Sequence, residues 1–140
     1  MGDALGALAN LTAPELQQLA ARLRVELDAG RFVLTDHPFW VTGSFFHEMP
    51  ADLKATLAEA DLVISKGDAN YRRLVGDCHW DPATPFAVAA GYFPATLVAL
   101  RTLKAELIVG LPPGAAERLQ QQDPTWRVNG KRGVIQFLRK

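Results

Sequence analysis

Asp68, Asn70, Tyr71, Arg72 and Arg73 occupy six positions directly after an apolar run that stops at Lys66 and Gly67, in the stretch ISKGDANYRRLVGD at 64–77. Side chains of these types can hold a small polar anion. Asp68 accepts hydrogen bonds, Asn70 and Tyr71 both donate and accept, and Arg72 carries a planar cationic fork matched to phosphate oxygens. Lys104 follows a second apolar run, ATLVAL, and reaches the same rim if the two runs are neighbouring strands. In open parallel sheets, ligands collect beyond the carboxyl ends of the strands, where turns lead into helix N-termini that favour anions. The residues together describe a site for a small phosphorylated molecule. A plainer alternative has Asp68 capping its own helix through an N–H near Tyr71, Asn70 and Tyr71 as turn residues, and both arginines as solvated charges. The glycine spacing and the Lys-Ser/Thr pair of a nucleotide P-loop are missing.

Other chemistry has weaker support. Asp36, His37, His47 and Glu48 are metal donors by type, but no HExxH, EF-hand loop or paired Cys/His spacing contains them. Cys78 is the single cysteine, which excludes an internal disulfide and fits a reducing cytoplasm. His79, beside Trp80, reads as a packing or hydrogen-bonding residue. Trp40, Phe45 and Phe46 either stack on a ligand or belong to a core. No Ser/His/Asp arrangement is recognisable.

These residues need a scaffold, and 140 residues suffice for one domain. Nearly half are apolar and about a fifth charged, which suits a globular chain. Lys plus Arg and Asp plus Glu are equal at 15 each, so no long-range positive field gathers nucleic acid. The stretch MGDALGALANLTAPELQQ lacks the basic region and continuous apolar core of a secretory signal. FAVAAGYFPATLVAL at 86–100 is too short for a bilayer span and is interrupted by Gly91 and Pro94. No membrane or nucleic-acid partner is expected.

Thr12 and Glu15 form a capping-box pattern that predicts a helix start, with Leu16, Leu19, Leu23 and Leu27 as its apolar stripe and Gly30 as its stop. A short strand is expected at Phe32–Leu34, then a structured loop, then a helix through Leu53 and Leu57 entered at Pro50. Leu62–Ser65 reads as a strand, Lys66 and Gly67 as a turn, and a new helix starts at Asp68 or Ala69. The run ending in Arg101, Thr102 and Lys104 reads as another strand, GAAERLQQQ as a helix, and GVIQFL at 133–138 as a last strand. Strands alternating with helices predict an α/β fold with a small, mostly parallel sheet covered on both faces. So few strands leave open edges, and the sheet looks incomplete.

DLVISKGDANYRRLVGDCHWDPATPF, then RTLKAELIVGL, then a W-x3-GK-x-G-x-IQF pattern from Trp126 to Phe137 resembles the damage-control phosphatase family, in the branch called acidic residue methyltransferase 1-like. The likeness runs from about DHPFW at 36–40 to the end, with a looser fit through the first helix. It implies a three-layer α/β/α, Rossmann-like domain that hydrolyses small phosphate esters, such as fructose 1-phosphate or fructose 6-phosphate, with a divalent metal: manganese, cobalt, nickel or magnesium. The family's substrate-binding run matches Asp68, Ala69, Asn70, Tyr71 and Arg72, and its substrate-binding lysine matches Lys104. The family's metal ligands, in a DNxGxE motif and a later Asp, have no counterpart, and no Asp-Asn pair occurs anywhere in the chain. Residues 1–140 are therefore expected to form a single partial domain, the C-terminal portion, with a helical lead-in at 1–30 and a substrate-binding α/β part at 31–140. Its expected partners are a small phosphorylated metabolite and either a complementary N-terminal segment or a second copy of itself. The competing readings are a sugar-phosphate-binding or regulatory protein without catalysis and, lower, the carboxyl methyltransferase activity attributed to the branch, for which no GxGxxG turn is visible.

Overall fold

The structure, a computed structural model, describes residues 6, 7 and 9–140, which divide into one compact unit up to Asp36 and a second over His37–Lys140. In the first unit, helix α1 spans Pro14–Asp28, with Ala13 as its capping residue and no side-chain cap. The expected Thr12–Glu15 cap is not used. Proline has no N–H to give Thr12, and its fixed φ suits the first helical position, so the helix starts at Pro14 instead. Gly30 ends the helix as expected: at φ 68° it lets the N–H groups of Arg31 and Phe32 both donate to Glu26 O at 3.0 Å. The strand expected at Phe32–Leu34 does not form. Those residues lie exposed outside any sheet, because a β-prone triplet needs a partner to receive its hydrogen bonds.

The second unit holds the sheet. Two short 3-10 turns, Pro38–Val41 and Phe46–Glu48, precede α2 (Ala51–Ala58), β1 (Val63–Lys66), α3 (Asp68–Leu74), α4 (Phe86–Ala90), β2 (Leu97–Thr102), α5 (Ala115–Gln122) and β3 (Gly133–Leu138). The order across the sheet is β1-β2-β3, with β1 parallel to β2 and β3 antiparallel to β2. The architecture is α/β, as expected, with a mixed sheet.

Alternation along the strands separates two unlike faces. Leu97, Ala99 and Arg101 of β2, with Gln136 and Leu138 of β3, are buried. That face joins a core containing Tyr71 and Leu74 of α3, Phe86, Ala89 and Ala90 of α4, and Trp126. Within this unit no helix lies against the other face. Ile64, Ile135 and Phe137 remain 62%, 80% and 59% exposed, and the register aligns Ile64, Val98 and Phe137 in one row and Lys66, Leu100 and Ile135 in the next. The expectation of cover on both faces is thus met on one, because α3 and α4 both pack on the same side. No helix among the described residues is long and apolar enough to cross a membrane.

Candidate functional site

β1 delivers the chain to Gly67, whose φ of 113° and ψ of 158° lie where only glycine is comfortable. The turn is tied on both sides: Gly67 N–H donates to Leu100 O at 2.9 Å, and Gly67 O accepts from Tyr71 N at 3.1 Å. This fixes the start of α3 against the end of β2. Lys104 is held from the other direction, because neighbouring Leu103 is buried, donates to Arg132 O at 2.8 Å and accepts from Gly130 N at 3.0 Å. The Asp123 carboxylate braces that loop, accepting from Arg132, Thr125 and Asn129, and these contacts hold it well below the usual carboxylate range.

Between these straps, at the carboxyl ends of β1 and β2, lies a hollow of about 580 Å³ lined by Lys66, Asp68, Arg101, Thr102, Lys104 and Ile135 among others. Asp68 and Lys104, 36 positions apart in sequence, therefore share one site. The expected self-cap by Asp68 is absent. Its Oδ1 instead accepts from Arg101 Nε at 2.7 Å, since a buried guanidinium requires a carboxylate more than a helix start requires a cap. The Arg101 side chain is 0% exposed, donates to Leu107 O at 2.6 Å and Ala105 O at 3.0 Å, and lies 4.5 Å from the Tyr71 ring centre.

The other residues of the run point elsewhere. Tyr71 is buried, stacks on Phe86 and takes a 3.4 Å contact from Val109 N–H at its hydroxyl; burial pushes its phenol pKa up. Ala69, Asn70 and Arg72 line a separate hollow of about 460 Å³ with Trp40, Arg73 and Asp77. Asn70 Nδ2 donates to Lys66 O at 2.9 Å, which braces the turn. The Arg72 fork is already engaged, donating to both Asp77 oxygens at 2.7 and 2.6 Å. The alternative of a solvated Arg73 is not what forms: its guanidinium donates to Ser44 O at 2.7 Å and Phe39 O at 3.1 Å and covers the Phe39 and Phe46 rings. Phe46 belongs to the core, whereas Trp40 stays 40% exposed.

Two residues escaped the sequence reading of the site. Lys66, taken as a turn residue, is the last residue of β1 and stands on the hollow with no ion-pair partner among the described residues. Its position at the end of an apolar run was the available signal. Arg101, read as the polar end of a strand, lies inward by the same alternation that buries Leu97 and Ala99.

The metal implied by the resemblance finds no fit here. The His37 ring meets Asp52 at 3.4 Å, His47 stacks on Phe45, and no group of three or more His, Cys, Asp or Glu placed to hold a metal occurs among the described residues.

The family model for the damage-control phosphatase ARMT1-like domain matches residues 1–119. The chain belongs to that family. The match includes the whole KGDANYRR turn and the RTLK stretch; the Trp126–Phe137 pattern lies beyond it. The chain is 47% identical over 112 residues to damage-control phosphatase ARMT1 of Danio rerio, covering 77% of this chain and 25% of the relative. It is 44% identical over 112 residues to the Homo sapiens protein of that name, with the same coverage, and 44% over 115 residues to that of Xenopus laevis, covering 79% and 26%. It spans about a quarter of the length of these curated relatives.

Proposed function

We propose that this chain supplies the ester-binding side of a phosphatase acting on small phosphate esters, with sugar phosphates such as fructose 1-phosphate and fructose 6-phosphate as the substrate class. The supporting observation is the shared hollow. Lys66 and Lys104 bring two cations, and Asp68 brings an acceptor, to one rim at the strand ends. The lysines match phosphoryl oxygens, and the carboxylate matches a sugar hydroxyl. Family membership supports the phosphatase reading, and the name of the relatives supports its damage-control class. Asn70, Ala69 and Tyr71 then act by building the turn, and Arg72 reaches a ligand only by exchanging Asp77 for it.

The described residues are assigned binding and no step of P–O cleavage. Manganese, cobalt, nickel or magnesium remains the resemblance's implication for the complete domain, with ligands outside these residues. The uncovered sheet face of the second unit, with Ile64, Val98 and Phe137 in one row and Leu100 and Ile135 in the next, supports a covering layer, supplied by a complementary segment or by a second copy of the chain. A reducing cytoplasm is assigned on the lone cysteine.

Titration calorimetry with fructose 6-phosphate tests the reading. Wild type is expected to bind, and Lys104→Ala to weaken binding at least about tenfold through loss of a charge-assisted contact. Equal affinity in the two proteins would sink it.

A further inference from the structure

We infer that Arg101 is a positioning residue that makes the site selective for hydroxyl-bearing esters, acting through Asp68 rather than by touching the ligand. This rests on the ester-binding reading above and deepens it.

The arginine cannot itself serve a ligand in this arrangement. Its side chain is 0% exposed, and each of its three guanidinium nitrogens is committed: Nε to Asp68, Nη1 to Leu107 O and Nη2 to Ala105 O. The Tyr71 ring lies 4.5 Å from its centre. A planar fork held at three edges and against one ring has no rotamer freedom left. It thus joins β2, the start of α3 and the 105–107 loop at one point.

Asp68 inherits that rigidity. Its Oδ1 is fixed at 2.7 Å from a group that cannot move, its side chain is 20% exposed, and Oδ2 accepts no hydrogen bond among the described residues. One oxygen is anchored, the other has no hydrogen-bond donor among the described residues, and Asp68 lines the hollow. A carboxylate oxygen on the same hollow as two lysines offers inorganic phosphate an acceptor only for its own P–OH, and otherwise opposes its charge. It does accept from a hydroxyl carried on an esterified phosphate. Discrimination of this kind needs the acceptor held in one place, because an orientable side chain loses part of each hydrogen bond to ordering.

The test compares fructose 6-phosphate with inorganic phosphate by titration calorimetry on wild type, Arg101→Lys, Asp68→Ala and the double variant. The readout is the ratio of the two affinities. Arg101→Lys is expected to lower that ratio about tenfold, the order expected for one hydrogen bond to a charged group. Asp68→Ala is expected to lower it at least as much. In the Asp68→Ala background, Arg101→Lys should then change the ratio no further, which a merely structural arginine would not produce. Arg101→Gln, which keeps one donor toward Asp68, replaces the lysine variant if that protein does not fold. An unchanged ratio in Arg101→Lys, or additive changes in the double variant, overturns the inference while leaving the binding reading intact; an unchanged ratio in Asp68→Ala overturns it and also removes the hydroxyl contact given to Asp68. Wild type that binds neither probe overturns both.

Discussion

Two Arg–Asp pairs bracket the same seven-residue helix, and their geometry gives the wrong impression of their weight. Arg72 and Asp77 form the better pair on paper, a two-pronged contact at 2.7 and 2.6 Å. Arg101 and Asp68 share a single contact at 2.7 Å. Solvent reverses the order. The Arg72 side chain is 45% exposed, so water and salt compete for both charges and the net gain is small. Arg101 is fully enclosed, so removing it leaves a carboxylate and two carbonyls without the donor they were built around. The same chemical pair is a surface accessory on one flank of α3 and a framework joint on the other.

The contrast is broken most directly at the enclosed pair. Arg101→Met should destabilise the protein by about 3–5 kcal/mol in urea unfolding near neutral pH, the range for an opened buried pair. A cost below about 1 kcal/mol would erase the difference between the flanks. Arg72→Ala should cost no more than about 1 kcal/mol, and raising the salt from about 0.1 to 1 M should abolish that cost while leaving the Arg101 effect in place. The smallest effect concerns acid. The Arg72 guanidinium beside Asp77 holds its carboxyl below the usual range, so its contribution is complete above the unfolded value near 4 and disappears as pH falls through the lower folded value. Asp77→Asn should therefore flatten the fall of melting temperature below about pH 4; an unaltered profile would mean the pair carries no linkage.

Local signals carried much of the sequence reading. β1, the Gly67 turn, α3, β2 and β3 follow from apolar run lengths and from where polar residues interrupt them, and these elements bring Asp68 and Lys104 to one rim. What could not be read depended on partners remote in the chain. Asp68 finds Arg101 33 residues later, and Arg73 finds Ser44 and Phe39 29 and 34 residues earlier, so neither pairing is visible in a window of helical length. Phe32–Leu34 fails for the converse reason: strand-forming side chains with no strand beside them. Arg72 looked free because Asp77 lies in a turn of its own, at φ 51°, that folds its carboxylate back along the helix. Alternation along β2 and β3 predicts which residues share a face, but it is silent on whether anything lies against the second face.

Within the second unit, the uncovered side of the sheet ends at the hollow, since Lys66, Leu100 and Ile135 belong to both. A polypeptide settled on those rows would also lie at the edge of the cavity. Any effect of such a cover on filling the cavity then has its counterpart, since reciprocity requires that each shifts the other's equilibrium by one common factor.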